Sequence, residues 1–172
     1  SGLLRAYAAS QSRATHDLVI VGQQHGDYTE PQALVQTLGL TGQVHFLSRV
    51  DFPELIALYS SAALFVLPSL YEGFGLPVLE AMACGAPVIA AKTTSTGEIA
   101  GAGAFLIDPE NDGEITIAID RLISDEAYRQ LLIARGAAHR KAFTWRKTAL
   151  KTLALYEQVV GQHRSDRVPS TP

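Results

Sequence analysis

The chain has 172 residues, of which 47% are hydrophobic and 18% are charged, and its formal net charge is −3. These values indicate a folded globular domain and exclude the disordered and fibrous classes. The acidic balance gives no extended basic surface for phosphate backbones, so we expect no nucleic-acid partner. The single cysteine excludes internal disulfides and multi-cysteine zinc sites, which favours a reducing cytoplasm.

The predicted elements alternate between strands and helices along the chain. Short apolar runs predict strands at 18–21, 44–47, 63–67, 88–91 and 105–107. Helical patterns predict helices over 3–13 and 29–38, after Asp51, over 77–85, and near 115–123, 126–142 and 145–160. This order predicts an α/β fold, in which helices cover both faces of a Rossmann-like, doubly wound parallel sheet.

The domain organisation follows from composition along the chain. We expect residues 1–160 to form one domain and the polar segment 161–172 to be a disordered tail. The continuous apolar run at 63–67 is typical of a parallel strand that is buried on both faces, so we place it centrally in the sheet. Trp145 lies on the apolar stripe of the last predicted helix, where we expect core packing. No apolar run approaches the roughly 20 residues of a membrane span.

Residues 72–80 form the strongest candidate for a binding site. They follow the strand at 63–67, and ligands of open parallel sheets collect at the carboxyl ends of the strands. Gly73 and Gly75 permit a sharp turn and a close approach of the backbone to a ligand. The free amides at the start of the next helix suit a phosphate or a sugar oxygen.

Two glutamates mark the ends of this segment. Glu80 lies about one turn into the helix, where its carboxylate can accept hydrogen bonds from the vicinal hydroxyls of a ribose. Glu72 lies on the turn, where it can orient a sugar or stabilise developing positive charge. A purely structural interpretation also fits, because the helix dipole favours glutamate near a helix start and Glu-Gly is a common exposed turn.

A long contiguous stretch, residues 67–89, resembles the signature of glycosyltransferase family 4, with its two glutamates eight residues apart. The likeness continues through residues 44–47, 58–62, 108–109 and 143–145. It implies the C-terminal Rossmann-like half of a two-domain GT-B enzyme. The implied reaction is a retaining, metal-independent transfer of a sugar, with mannose as one candidate. The implied donor is a nucleoside-diphosphate sugar, and the implied acceptor is a glycan or a lipid-linked glycan.

The resemblance also implies roles for individual residues. Glu72 would be the catalytic residue in contact with the transferred sugar, and Glu80 would contact the ribose. The remaining substrate-binding residues would be the main-chain amides of Phe74, Gly75 and Leu76 at the sugar and diphosphate, Ser48, Arg49 and Val50 near the base, and Ser69. The sequence departs from the family at Ser48, where glycine is usual, and at Gly97, where proline is common.

The likeness places other parts of the enzyme upstream of Ser1, namely the acceptor site and a basic pair that neutralises the diphosphate. The chain thus resembles an excerpt, and we expect it to be inactive in isolation and to self-associate through a bare apolar helix face. The full-length enzyme is expected in the cytoplasm, either free or at the inner face of the membrane. No cofactor or metal is expected, because none of the five histidines has ligand spacing such as His-x-x-x-His. A non-catalytic nucleotide-sugar-binding module remains an alternative, as does a GT-B epimerase or phosphorylase.

Overall fold

The computed structural model describes residues 1–22 and 29–165, with side chains described through residue 160. The chain divides into two units, Ser1–Arg140 and Lys141–Pro172. The helices and strands are α1 Gly2–Ala9, β1 Leu18–Val21, α2 Thr29–Thr37, β2 Val44–Leu47, α3 Phe52–Ser61, β3 Phe65–Leu67, α4 Leu76–Ala83, β4 Val88–Ala91, α5 Thr94–Ala100, β5 Ala104–Ile107, α6 Asp112–Ser124, α7 Glu126–His139 and α8 Trp145–Ser165. Short 3₁₀ turns lie at Gln11–Ala14, Gly101–Gly103 and Arg140–Ala142.

The described strands form two parallel sheets in the first unit. β1 pairs with β2, with Leu18 opposite Val44. In the other sheet β4 lies between β3 and β5, and Val88 is opposite both Phe65 and Ala104. Parallel neighbours need crossover connections, which the intervening helices provide. The predicted α/β class with parallel strands is confirmed, and β1, β2 and β4 have the predicted bounds.

β3 and β4 differ in burial although both are apolar. All four residues of β4 are buried, and Ile89 lies in an apolar core with Ile107 and Leu122. The residues of β3 are each partly exposed. Among the described residues β3 pairs only with β4, so the prediction that the run 63–67 lies centrally was wrong. β3 instead lines a groove of about 900 Å³ together with apolar side chains of β1 and α3, which explains its partial exposure.

Side chains close the amide ends of several helices. At α3, Asp51 Oδ1 accepts from the Glu54 amide at 2.8 Å, and Glu54 Oε2 accepts from the Asp51 amide at 2.9 Å. The predicted cap at Asp51 is therefore confirmed. Asn111 and Asp125 accept from backbone amides in the same way at the starts of α6 and α7. Such caps satisfy donors that the helix itself leaves unpaired.

The 3₁₀ turn Gln11–Ala14 is closed both by its neighbour Ser10, whose hydroxyl oxygen accepts from the Ser12 amide at 3.0 Å, and by a carboxylate from a distant part of the chain. Asp120, on α6, accepts from the backbone amides of Gln11 at 3.2 Å and Ser12 at 3.1 Å. It also accepts from the hydroxyls of Ser10 and Ser12, which are both buried. Burial opposes the shift, but these hydrogen bonds hold the pKa of Asp120 below its ordinary value. The carboxylate thereby fastens α6 to the segment that follows α1.

The second unit contains α8, which runs through Ser165. The expected start of the tail at residue 161 falls inside this helix, and residues 166–172 lie outside the described part of the chain. Trp145 is 80% exposed, and Leu150 and Leu153 are also exposed. The prediction of core packing for Trp145 was therefore wrong. The reason is that a single amphipathic helix provides no second apolar face within its own unit.

Candidate functional site

The turn from β3 to α4 depends on the conformation of Gly75. Its φ is +93°, in the left-handed region that favours glycine, and it directly precedes the first turn of α4. A Cβ on Gly75 would lie 3.7 Å from the Cα of Thr96, which is ordinary contact, so conformation rather than space selects glycine. Pro77 lies in the first turn of α4, where a missing amide costs no helix hydrogen bond. As a glycine, the N-cap residue Gly75 has no side chain with which to accept from an amide of α4.

Two serines hold Glu72 in this turn. The Ser69 hydroxyl donates to Glu72 Oε1 at 2.8 Å, and the Ser95 hydroxyl donates to the Glu72 carbonyl oxygen at 2.6 Å. The side chain of Glu72 is half-buried. Ser69 belongs to the predicted set, whereas Ser95 does not. The hydroxyl run at 93–96 was its only sequence signal, and α5, which carries it, was not predicted because threonine and glycine are weak helix formers.

Glu80 lies on α4 and is engaged by a residue that the sequence did not single out. The hydroxyl of Tyr59, on α3, donates to Glu80 Oε2 at 3.2 Å. The Tyr59 ring packs edge-to-face on Phe65 of β3, with ring centroids 5.3 Å apart. Burial and the neighbouring Glu80 carboxylate raise the pKa of Tyr59 well above its ordinary value, so it remains a hydrogen-bond donor.

The first turn of α5 borders the turn before α4 through Thr96. This side chain is fully buried, and its hydroxyl has no hydrogen-bond partner among the described residues. Lys92, at the start of the loop after β4, pairs with Asp108 at 3.2 Å and lies 3.9 Å from Glu114. The Glu110 amide and Lys92 hold the pKa of Asp108 below its ordinary value. The charge of Lys92 is thus already balanced by carboxylates.

Gly97 is the position at which the sequence departs from the family's usual proline. A Cβ on Gly97 would lie 2.5 Å from the carbonyl oxygen of Lys92 and 2.8 Å from its carbonyl carbon. These distances are too short for any side chain on this backbone. The departure therefore has a steric basis, in which the start of α5 lies directly against residue 92.

The residues predicted near the base follow a strand of the two-stranded sheet, not of the sheet that precedes α4. Ser48, Arg49 and Val50 follow the carboxyl end of β2; the first two are exposed and Val50 is half-buried. No hydrogen bond or ion pair among the described residues connects them to the turn before α4. The side chains of Phe74 and Leu76 are 44% and 45% exposed. The structure therefore gathers Ser69, Glu72, Gly75 and Glu80 in one strand–turn–helix, while residues 48–50 follow a strand of the other sheet.

Within 1–22 and 29–165, no group of three His, Cys, Asp or Glu side chains is arranged to hold a metal ion. No helix in this part of the chain is long and apolar enough to cross a bilayer.

Comparison with known proteins adds sequence relatives. The family described as "Glycosyl transferases group 1" matches residues 1–139. O-antigen chain mannosyltransferase B of Escherichia coli is 35% identical over 158 residues, which cover 91% of this chain and 42% of that protein. MMP alpha-(1->4)-mannosyltransferase of Mycolicibacterium hassiacum is 35% identical over 137 residues, which cover 76% of this chain and 33% of that protein. The chain spans less than half the length of these relatives.

Solved structures show the same fold. Sucrose-phosphate synthase of Thermosynechococcus elongatus has a TM-score of 0.78 and 30% identity over 94% of this chain and 43% of its own. Anabaena HepE in complex with UDP has a TM-score of 0.78 and 27% identity over 92% of this chain and 44% of its own. The C-terminal domain of a group 1 glycosyl transferase from Francisella tularensis has a TM-score of 0.73 and 28% identity, covering 82% of this chain and 76% of that chain.

Proposed function

Because the chain belongs to the group 1 glycosyl transferases, we propose that it is the donor-binding half of a retaining enzyme. The enzyme transfers a sugar from a nucleoside-diphosphate sugar to a glycan or lipid-linked acceptor. Relatives named as mannosyltransferases support mannose as the sugar. Structures of HepE with UDP and with UDP-glucose support a nucleotide-sugar donor.

The observation that carries the proposal is the start of α4, which has no side-chain cap and lies between Glu72 and Glu80 in the chain. A helix start concentrates unpaired amides and the positive end of the helix dipole, a combination that attracts an anion. In the proposal the diphosphate takes this place, in contact with the main chain of Phe74, Gly75 and Leu76. Glu80 accepts hydrogen bonds from the ribose hydroxyls, and Ser48, Arg49 and Val50 border the base.

Glu72 acts at the other end of the donor. Its carboxylate, held by Ser69, orients the sugar hydroxyls and stabilises the positive charge that develops at the sugar's anomeric carbon. The bond from this carbon to the diphosphate oxygen breaks, and a bond to the acceptor oxygen forms on the same face. The acceptor's proton passes to the departing diphosphate oxygen. Glu72 therefore positions and stabilises, and it forms no covalent bond with the sugar.

The proposal extends to the surroundings of the site. No metal ion takes part, since the helix start and basic residues from the upstream portion of the enzyme balance the diphosphate charge. The acceptor binds to that upstream portion. The enzyme works in the cytoplasm or at the inner face of the membrane. Residues 1–172 span less than half the length of the relatives, so we propose that by themselves they are inactive and self-associate through the exposed apolar side chains of α8.

A donor panel tests this function in the full-length protein. Purified enzyme is offered GDP-mannose, UDP-glucose and related nucleotide sugars with a lipid-linked glycan acceptor, and the product's anomeric configuration is determined by NMR. We expect transfer from one donor, with the donor's α configuration kept and with full activity in EDTA. An inverted product would contradict the retaining mechanism, and loss of activity in EDTA would contradict metal independence. Tight nucleotide-sugar binding without transfer to any acceptor would favour a non-catalytic binding module.

A further inference from the structure

Tyr59 connects three elements that surround the proposed ribose contact. It lies on α3, whose start is fixed by the reciprocal cap of Asp51 and Glu54. Its ring packs on Phe65 of β3, and its hydroxyl donates to Glu80 of α4. Only 8% of the residue's surface is exposed. Ring and hydroxyl are therefore both held in place, and the direction of the hydrogen bond to Glu80 is set by packing.

The hydrogen bond also restricts Glu80. Glutamate has three rotatable side-chain bonds, so an unsupported carboxylate at the edge of a site would sample several orientations. Tyr59 engages Oε2, which leaves Oε1 and the remaining lone pairs of the carboxylate for donors of a ligand. Because the tyrosine offers one proton and stays protonated, the carboxylate has a fixed partner on one side. A ligand with two adjacent hydroxyls then donates to a Glu80 carboxylate that is already oriented.

We infer that Tyr59 is a positioning residue that holds the Glu80 carboxylate in the orientation needed for ribose recognition. The inference rests on the proposed function, in which Glu80 contacts the ribose. It makes the preference for ribonucleotides depend on α3, a helix that carries none of the proposed nucleotide contacts. Tyr59 itself does not touch the nucleotide.

Binding of paired ligands to the full-length protein tests the inference. The dissociation constants of a nucleoside diphosphate and of its 2′,3′-dideoxy analogue are measured by calorimetry, using the base that the donor panel identifies. We expect the wild-type protein to prefer the ribonucleotide by at least about tenfold, since the analogue leaves the carboxylate without its donors. Tyr59→Phe keeps the ring and removes the hydroxyl. It should lower this preference about threefold to tenfold by weakening the ribonucleotide alone.

Tyr7→Phe is the matched control. Tyr7 is also buried, and its hydroxyl donates to the backbone carbonyl of His16 at 2.6 Å. This variant loses one buried tyrosine hydroxyl, as Tyr59→Phe does, and should keep the wild-type preference. Phe65→Leu tests the hydrogen bond between Tyr59 and Glu80 in a second way, because it removes the ring that orients Tyr59 while keeping the Tyr59 hydroxyl. It should lower the preference by a smaller factor.

Glu80→Gln separates failure of the inference from failure of the proposed function. If Glu80→Gln leaves the ribonucleotide preference unchanged, Glu80 does not contact the ribose and the proposed function fails at this residue. If Glu80→Gln lowers the preference but Tyr59→Phe weakens both ligands equally or neither, the inference about Tyr59 alone is overturned. The inference also requires that combining Tyr59→Phe with Glu80→Gln lower the ribonucleotide preference no further than Glu80→Gln does alone.

Discussion

The helix starts of α3 and α4 face the same physical problem and solve it differently. α3 begins with Asp51 and Glu54, which satisfy each other's backbone amides. α4 begins with Gly75, whose left-handed backbone brings the chain into the helix without any side-chain acceptor. A helix start left open costs stability unless something else accepts its hydrogen bonds. The reciprocal cap of α3 serves folding, whereas at α4 the N-cap residue Gly75 supplies no side-chain acceptor, and the proposed function assigns this place to a ligand.

Asp120 shows within the same chain what an anion does at open amides. The 3₁₀ turn Gln11–Ala14 receives the carboxylate of Asp120, which accepts from the amides of Gln11 and Ser12. This carboxylate belongs to α6 and lies 109 residues from Gln11 in the sequence. A bound diphosphate would fill the same role at α4 from outside the chain. Three helix starts can thus be compared: α3 is capped by neighbouring residues, the 3₁₀ turn by Ser10 together with the distant Asp120, and α4 starts at a glycine that has no side chain to cap it.

The largest effect is expected at the open end. Glu72→Ala in the full-length enzyme should reduce kcat about 10²- to 10³-fold, because a fixed charge next to the reacting carbon is lost. Initial rates with the identified donor measure it. Glu30→Ala is the control, since Glu30 is an exposed glutamate in the first turn of α2. Near-wild-type turnover of Glu72→Ala would contradict the catalytic role proposed for Glu72. It would also remove the functional reason for the difference between the starts of α3 and α4.

Removal of the distant anion should cost stability. Asp120→Ala leaves the Gln11 amide and the hydroxyls of Ser10 and Ser12 without this acceptor, while the Ser12 amide keeps the Ser10 hydroxyl oxygen. We expect a loss of about 2 kcal/mol in the free energy of unfolding. Because the folded-state pKa of Asp120 is lowered, its contribution is present above the unfolded value of about 3.9 and is lost as pH falls through the folded value. Urea titrations from pH 7 to pH 3 should show a smaller acid-induced loss in the variant. An equal loss in both proteins would contradict this assignment.

Gly75→Ala tests the backbone that opens α4. Placing alanine in the left-handed region costs about 1–2 kcal/mol, and we expect this as lower stability together with weaker nucleotide binding. Gly73→Ala is the comparison variant, since Gly73 has no positive φ and a Cβ there would meet open space. Thermal unfolding and calorimetric titration measure the two effects. Unchanged binding in Gly75→Ala would show that this conformation is not needed at the site.

The smallest effect is expected at a locally closed end. Asp125→Ala removes the acceptor for the Tyr128 amide at the start of α7, at 2.9 Å, and should cost about 1 kcal/mol of stability. Nucleotide affinity should stay at the wild-type value, because this cap belongs to folding. Asp125→Asn, which keeps a capping oxygen, should recover most of the stability. A change in nucleotide affinity without a change in stability would contradict this prediction, because it would show that the cap of α7 serves binding rather than folding.

Local patterns were enough to predict much of the fold. The strands at 18–21, 44–47 and 88–91 and the cap at Asp51 were correct because each depends on residues that are adjacent in the chain. The edge position of the run 63–67 could not be read in this way, because burial of an apolar strand depends on which strands pair with it. α5 was missed, since packing against β4 and α4 outweighs the weak helix propensity of its residues.

The candidate site was predicted in part. Ser69, Glu72, Gly75 and Glu80 lie on one strand–turn–helix, so their proximity follows from spacing alone. The partnership of Tyr59 with Glu80 spans 21 residues, and it exists only because α3 packs beside α4. Ser95 reaches Glu72 across 23 residues for the same kind of reason. The roles assigned to all of these residues remain predictions, as do those of residues 48–50.

Gly97 has a consequence for how this sequence can change over time. With the backbone in its present position, the Lys92 carbonyl oxygen excludes any Cβ at residue 97. Because the contact is with main-chain atoms, a change of side chain at residue 92 does not relieve it. A proline at residue 97 therefore requires the local backbone to move, whichever residue stands at position 92. Grafting the family's common residue at this single position would test how far the loop after β4 can shift.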